Sequence, residues 1–279
     1  MTDYLNFGAC LITADPKSRT ICGELDGQKI WVKQTVPPKA RIWHKLQRFL
    51  ASLLGQPILR ATVSAGGPEN LRAEAKRLKM FQERGFKVPE VLAVYDDLLV
   101  MTDAGPQLRA VLDSTMDKDA RHNILKTTMR AMSALHQAGL AHGRPYMRDM
   151  TWDGKDIGFL DLEEDPVTVM PLVTAQARDI WIFLSAASRY ARCPGDKAKY
   201  EPELIRILFN EYKSGASKQV LKELQDFVLF LEPLRKLLDR KMLWKKIGTD
   251  ARQSVFINRC LAACLEGACS SSNGAEEGK

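Results

Sequence analysis

An α+β chain of two lobes, the first small and β-rich and the second mainly helical, is predicted by three observations on the sequence. Short β-patterned runs dominate up to Thr102, and helical periodicity dominates beyond it. Between them Asp103-Ala104-Gly105-Pro106 concentrates turn formers, as a hinge does. This predicts an N-terminal lobe over 1–104, a C-terminal helical lobe over 105–267 and a flexible tail over 268–279, which is rich in Gly, Ser, Asn and Glu.

The apolar stretches 9–13, 20–24 and 29–33, separated by Asp15-Pro16 and Asp26-Gly27, predict a small meander of strands. Pro37-Pro38 ends that pattern, and 39–54 reads as a basic helical insertion. Its stripe of Ile42, Trp43, Leu46, Phe49, Leu50, Leu53 and Leu54 is flanked by Arg41, His44, Lys45 and Arg48. Ala65-Gly66-Gly67-Pro68 precedes a second helix over 69–84, closed by Gly85. Strands are expected over 91–95 and 98–102, and helices over 120–138, 175–190, 202–210 and 217–245.

A chain of 279 residues with 45% hydrophobic and 27% charged content is long enough for a substantial core and ordinary for a soluble globular protein. The formal charge of +7 favours an anionic partner. Nucleic acid is disfavoured, because the Phe and Tyr residues do not interleave with basic ones in a recognition motif. The six cysteines form no CxxC pair, and with only four histidines neither a zinc spacing nor a multi-histidine centre arises. Reduced thiols, a start without a basic and apolar leader pattern, and the lack of a membrane-length apolar run predict a cytoplasmic protein. The 39–54 stripe leaves two readings: packing against the first lobe, or peripheral contact with an anionic membrane, such as the cytoplasmic face of an inner membrane.

Phosphoryl transfer needs a cation near the phosphates, carboxylates to hold magnesium and an oriented hydroxyl acceptor. Candidates occur in order along the chain: Lys33 in Ile30-Trp31-Val32-Lys33, Glu74 on the following helix, Met101 and Asp103 at the hinge, and His142-Gly143-Arg144-Pro145-Tyr146-Met147-Arg148-Asp149. Asp161-Leu162-Glu163 comes twelve residues after Asp149, and Asp179 opens a long apolar helix.

Over 9–190 this series resembles the protein-kinase-like superfamily, and it looks most like bacterial lipopolysaccharide-core (Kdo and heptose) kinase-like proteins and the compact atypical kinases. The resemblance implies a bilobal protein-kinase-like fold, ATP and Mg2+. It implies that Lys33 contacts phosphates, Glu74 orients Lys33, and the hinge around Met101 and Asp103 binds the adenine edge. Asp149 and Asp161 would be metal ligands, with Glu163 reaching the metal or ordering Arg144, while His142 and Asp179 brace the loop as architecture. The acceptor would be a sugar, a glycolipid or a protein hydroxyl.

The chain departs from that pattern in three places. No Gly-x-Gly-x-x-Gly lies in 6–24, and no Ala-Pro-Glu follows Asp161. Arg144 stands where an Asp base is expected, and a guanidinium cannot act as a base, although it can lie against a phosphate. Two readings follow: an atypical ATP- and magnesium-dependent phosphotransferase, or a pseudokinase that binds nucleotide or a partner as a regulatory scaffold.

Overall fold

The structure is a computed structural model and describes residues 3–35, 57–60, 66–193, 195–196, 199–239 and 248–269. The predicted basic helix at 39–54 and positions 270–279 of the predicted tail lie outside the described residues. The chain is α+β, with a small antiparallel sheet and a helical region. It divides into two compact units, 1–114 with 147–169, and 115–146 with 170–279.

The first unit is built on an antiparallel sheet of β1 (Thr20–Leu25), β2 (Gln28–Gln34), β3 (Val91–Val94) and β4 (Leu98–Thr102), in the order β1-β2-β4-β3. Asp26 and Gly27, with φ of 52° and 74°, make the two-residue turn between β1 and β2, where the twist of a hairpin calls for positive φ. Alternation along β2 then sorts its side chains by face. Ile30 and Val32 enter the core with Leu98 and Val100, while Lys29, Trp31 and Lys33 turn to the opposite face.

Helix α1 (Tyr4–Ala14) covers the core face of the sheet, placing Tyr4, Phe7, Leu11 and Ile12 against it. The strand expected over 9–13 is therefore corrected to helix. Asp3 caps α1 by accepting the Asn6 N–H at 3.0 Å. Only helical spacing brings positions 4, 7 and 11 onto one side, and a short apolar run read alone does not distinguish the two periods. The approach is close: a Cβ added to Gly23 of β1 would come within 2.9 Å of both Phe7 and Leu11.

Helix α2 (Gly67–Glu83) buries Leu71, Leu78 and Phe81 together with the polar residues Asn70, Glu74 and Arg77. The chain leaves it through Gly85, at φ 82°. Phe81, Phe86 and Phe159 pack edge to face beneath its end, with centroids 6.1 to 6.3 Å apart. A short helix α3 (Leu108–Ser114), absent from the sequence reading, packs beside a 3-10 turn at Met147–Asp149 and the hairpin of β5 (Met150–Trp152) and β6 (Ile157–Phe159). That hairpin is tied back to the unit by the Phe159 N–H to the Lys87 carbonyl at 2.9 Å and the Trp152 N–H to the Pro106 carbonyl at 2.9 Å.

The second unit contains α4 (Lys118–Gln137), α5 (Leu172–Ala187), α6 (Pro202–Lys213), α7 (Lys218–Leu238) and α8 (Thr249–Cys269). Phe183, Leu208, Phe209, Leu224, Phe256 and Leu261 are buried among them. The helix expected over 217–245 ends at Leu238 within the described residues, with the Asp239 N–H bonded to the Arg235 carbonyl at 2.9 Å. The sequence reading did not anticipate α8, whose stripe at Phe256, Cys260 and Leu261 is diluted by Ala and Cys neighbours. Ala268 and Cys269, assigned to the tail, belong to this helix. No helix among the described residues is long and apolar enough to cross a membrane.

Candidate functional site

A cavity of about 500 Å³ opens on the β2 face opposite α1, and its walls come from the first unit alone. Alternation along β2 supplies Lys29, Trp31 and Lys33, and β4 and the turn after it supply Met101 and Asp103. Asp149 enters from the 3-10 turn and Asp161 from just beyond β6, while Arg19, Glu74 and Arg148 complete the charged lining.

Lys33 is the centre of the charge arrangement. Its ammonium lies 2.9 and 2.8 Å from the two Glu74 carboxylate oxygens, 2.8 Å from Asp161 Oδ1 and 3.3 Å from Glu163 Oε2. Lys33 and Glu74 are only 5% and 2% exposed, so water screens this pairing little. Burial alone would pull the Lys33 pKa down, but Glu74, Asp161 and Glu163 overcome it and hold the group above its ordinary value, as an ammonium. Burial is also what pushes the Glu74 carboxyl up, against the opposing pull of Lys33. Three carboxylates thus share one ammonium.

The 161–164 loop is pinned from several elements. Asp161 adopts φ +54°, a left-handed conformation that costs a non-glycine residue about 1–2 kcal/mol. Such an outlier persists where its surroundings over-determine it. Here Lys33 holds the Asp161 side chain, and Arg77 of α2 donates to the carbonyls of Leu162 at 2.9 Å and Glu164 at 2.8 Å. Glu163 is taken by Arg19 through both oxygens, with Nη1 at 3.1 Å from Oε1 and Nη2 on Oε2, while Asn70 donates to Oε2 at 3.2 Å. The Leu160 N–H bonds the Asp149 carbonyl at 2.8 Å and so joins the two carboxylate-bearing loops.

The turn after β4 is ordered by its own charges. Trp31 Nε1–H donates to Asp103 Oδ1 at 2.6 Å, Lys29 lies 3.0 Å from the same oxygen, and the Gly105 N–H donates to Oδ2 at 3.1 Å. Partial burial would raise the Asp103 pKa, but these hydrogen bonds, Trp31 first, hold it below the usual carboxylate range. The Lys29 ammonium stands 5.1 Å from the centre of the Trp31 ring, within cation–π reach.

Glu74, Asp161 and Glu163 each offer an oxygen within 4.8 Å of the others. The ammonium of Lys33 already bonds to all three of these carboxylates. Asp149 and Asp161 both lie in the cavity wall, and their carboxylate oxygens are donors of the kind a hard divalent cation prefers.

Of the residues selected from sequence, Lys33, Glu74, Met101, Asp103, Asp149 and Asp161 line this cavity, and Glu163 contacts Lys33 from behind it. His142, Arg144 and Asp179 belong to the second unit. There the Asp179 carboxylate, fully buried, accepts the His142 and Gly143 N–H groups at 2.6 and 2.9 Å. Arg178 Nη2 donates to the Gly143 carbonyl at 3.1 Å, and the Arg144 guanidinium lies 5.8 Å from the centre of the Tyr146 ring.

Sequence reasoning missed Arg19, Trp31, Asn70 and Arg77. Trp31 was legible, two positions from Lys33 on a strand. Asn70, Glu74 and Arg77 recur at helical spacing, so a polar stripe on an otherwise apolar face marked them too. Nothing in the local sequence distinguished Arg19, whose partner lies 144 residues away.

The chain is similar to an uncharacterised protein of Haemophilus influenzae, 28% identical over 163 residues that make up 58% of this chain and 60% of that protein. The chain therefore spans less than two thirds of the length of this curated relative. No family model matches it.

Proposed function

We propose that the protein is an atypical phosphotransferase of the bilobal protein-kinase-like type, which binds ATP in the cavity of the first unit and transfers its terminal phosphoryl group to a hydroxyl. The observation that carries this reading is Lys33: a buried ammonium on a strand, joined at once to Glu74 on a helix and to Asp161 at the cavity wall. Supporting it are the hinge residues Met101 and Asp103 in the same cavity and the left-handed backbone of Asp161.

In this reading Glu74 and Asp161 hold Lys33 protonated and aimed at the phosphates. Asp149 and Asp161 would hold Mg2+, which when bound supplies neutralisation of phosphate charge. Phosphoryl transfer passes through a loose transition state, so positioning and charge carry most of the catalysis, and the lack of an Asp at position 144 removes less than it would from a reaction requiring early proton abstraction. The acceptor classes are a sugar, a glycolipid or a protein hydroxyl. Contact of 39–54 with an anionic membrane would bring a lipid-linked acceptor close to a cytoplasmic enzyme.

Arg144 at the base position favours a second reading, a pseudokinase that binds nucleotide without transferring phosphate. The two separate in one experiment: ATP binding and magnesium-dependent turnover by wild type, Lys33→Ala and Asp161→Ala, against glycan, lipid and protein acceptors. Transfer by wild type that is lost in both variants is the expected result. Binding without transfer across the panel supports the pseudokinase, and absence of both overturns the nucleotide reading.

A further inference from the structure

We propose that Arg19 is the phosphate-binding residue of this chain, replacing a glycine-rich loop, and that its pairing with Glu163 is a latch released when a polyphosphate enters. This inference rests on the nucleotide-binding reading of the cavity. A glycine-rich loop presents backbone N–H groups to phosphate. Here the segment before β1 is instead α1 and a short turn, and the turn delivers a guanidinium to the cavity wall.

The position of Arg19 is built. Its carbonyl accepts the Gln34 N–H at 2.9 Å, extending the β1–β2 ladder by one bond beyond the Thr20–Lys33 pair. Gln34 Nε2 also donates to the Ser18 carbonyl at 2.7 Å, and Ser18 Oγ donates to Asp15 Oδ2 at 2.5 Å, so the turn is tied to the strand that carries Lys33. Arg19, from the turn just before β1, and Lys33, from β2, therefore approach the cavity in a fixed relation.

Two features mark this arginine as more than a structural pair. Its Nε–H is buried without an acceptor among the described residues, and an unsatisfied donor on a residue of a cavity wall is the kind of group a ligand oxygen satisfies. Its partner is also supported independently: Glu163 keeps Asn70 at 3.2 Å and Lys33 at 3.3 Å if Arg19 leaves. Release of Arg19 therefore does not strand a buried carboxylate, which would otherwise be the main obstacle to exchange. The planar guanidinium suits the change of partner, because it binds phosphate oxygens with the same two-pronged geometry it uses on a carboxylate.

The test is calorimetric titration of the full chain with adenosine, ATP and magnesium-free inorganic tripolyphosphate, on wild type, Arg19→Ala, Arg19→Lys and Glu163→Gln. We expect Arg19→Ala to weaken ATP and tripolyphosphate by about tenfold to a hundredfold, the worth of a charge-assisted hydrogen bond, and to leave adenosine unchanged. Arg19→Lys should fall between, and Glu163→Gln should bind tripolyphosphate more tightly than wild type. Unchanged polyphosphate binding in Arg19→Ala overturns the proposal while leaving the nucleotide reading standing. So does an equal loss of adenosine and polyphosphate in Arg19→Ala and Arg19→Lys, which would mark a purely structural pair. Arg19-dependent tripolyphosphate binding without ATP binding supports Arg19 and overturns the nucleotide reading, and binding of no ligand by wild type overturns both.

Discussion

Lys33 and Glu74 meet through both oxygens of one carboxylate, at 2.9 and 2.8 Å, across 41 residues of sequence and at almost complete burial. The pair ties β2 to α2, and the same ammonium carries the bond to Asp161. It thus couples the stability of the first unit to the geometry of its cavity. Taking two charges out of water is costly, and their attraction offsets that cost only while both are present.

Lys33→Ala should therefore destabilise the protein by about 3–5 kcal/mol, because it leaves Glu74 buried and unpaired. The double variant Lys33→Met with Glu74→Leu should regain roughly 1 kcal/mol or more of that loss, since an apolar pair of similar size is tolerated where a single charge is not. Urea denaturation of both variants checks this. A double variant no more stable than Lys33→Ala would show that Asp161 and Glu163, rather than Glu74, dominate the dependence on Lys33.

Asp161 separates backbone from side-chain effects. At φ +54° a glycine carries no Cβ penalty, whereas alanine does. Asp161→Gly is expected to be more stable than Asp161→Ala by about 0.5–1 kcal/mol after allowing for the larger unfolded entropy of glycine. Thermal denaturation of the pair at one pH gives the comparison. Equal stabilities would mean that the loop relaxes to negative φ once Lys33 loses its partner.

The turn at Asp103 should weaken in acid. Partial burial works to raise the Asp103 pKa, but hydrogen bonds from Trp31, Lys29 and Gly105 hold it below its unfolded value. The folded state then binds fewer protons than the unfolded one in the interval between the two values. Stability from Asp103 is therefore full above the unfolded pKa and is lost as pH falls through the lower, folded one. Indole fluorescence of Trp31 should change across that acid interval in wild type, and the step should be missing in Asp103→Asn. A step that persists in the variant would assign the titration to another carboxylate.

Local pattern made several elements legible. The alternation of Lys29, Trp31 and Lys33 with Ile30 and Val32 is a period-two strand, and the apolar stripe of Gly67–Glu83 is a helix, so both formed close to where the spacing put them. Runs with diluted or short patterns were not legible. The 9–13 stretch is equally compatible with both periods until the sheet beneath it selects helix, and α8 mixes its buried Phe256, Cys260 and Leu261 with small residues.

The sequence by itself determined which charged side chains were available to the site and their order along the chain, because residue type and strand or helix parity are local properties. Only the tertiary structure decided which of them meet. Lys33 selects Glu74 and Asp161, and Arg19 takes Glu163, because folding over 41 to 144 positions brings those atoms within hydrogen-bond distance. Packing also decided the conformation of Asp161. Aspartate tolerates φ +54° better than most residues do, but the bonds that fix it there are made by Lys33 from β2 and Arg77 from α2.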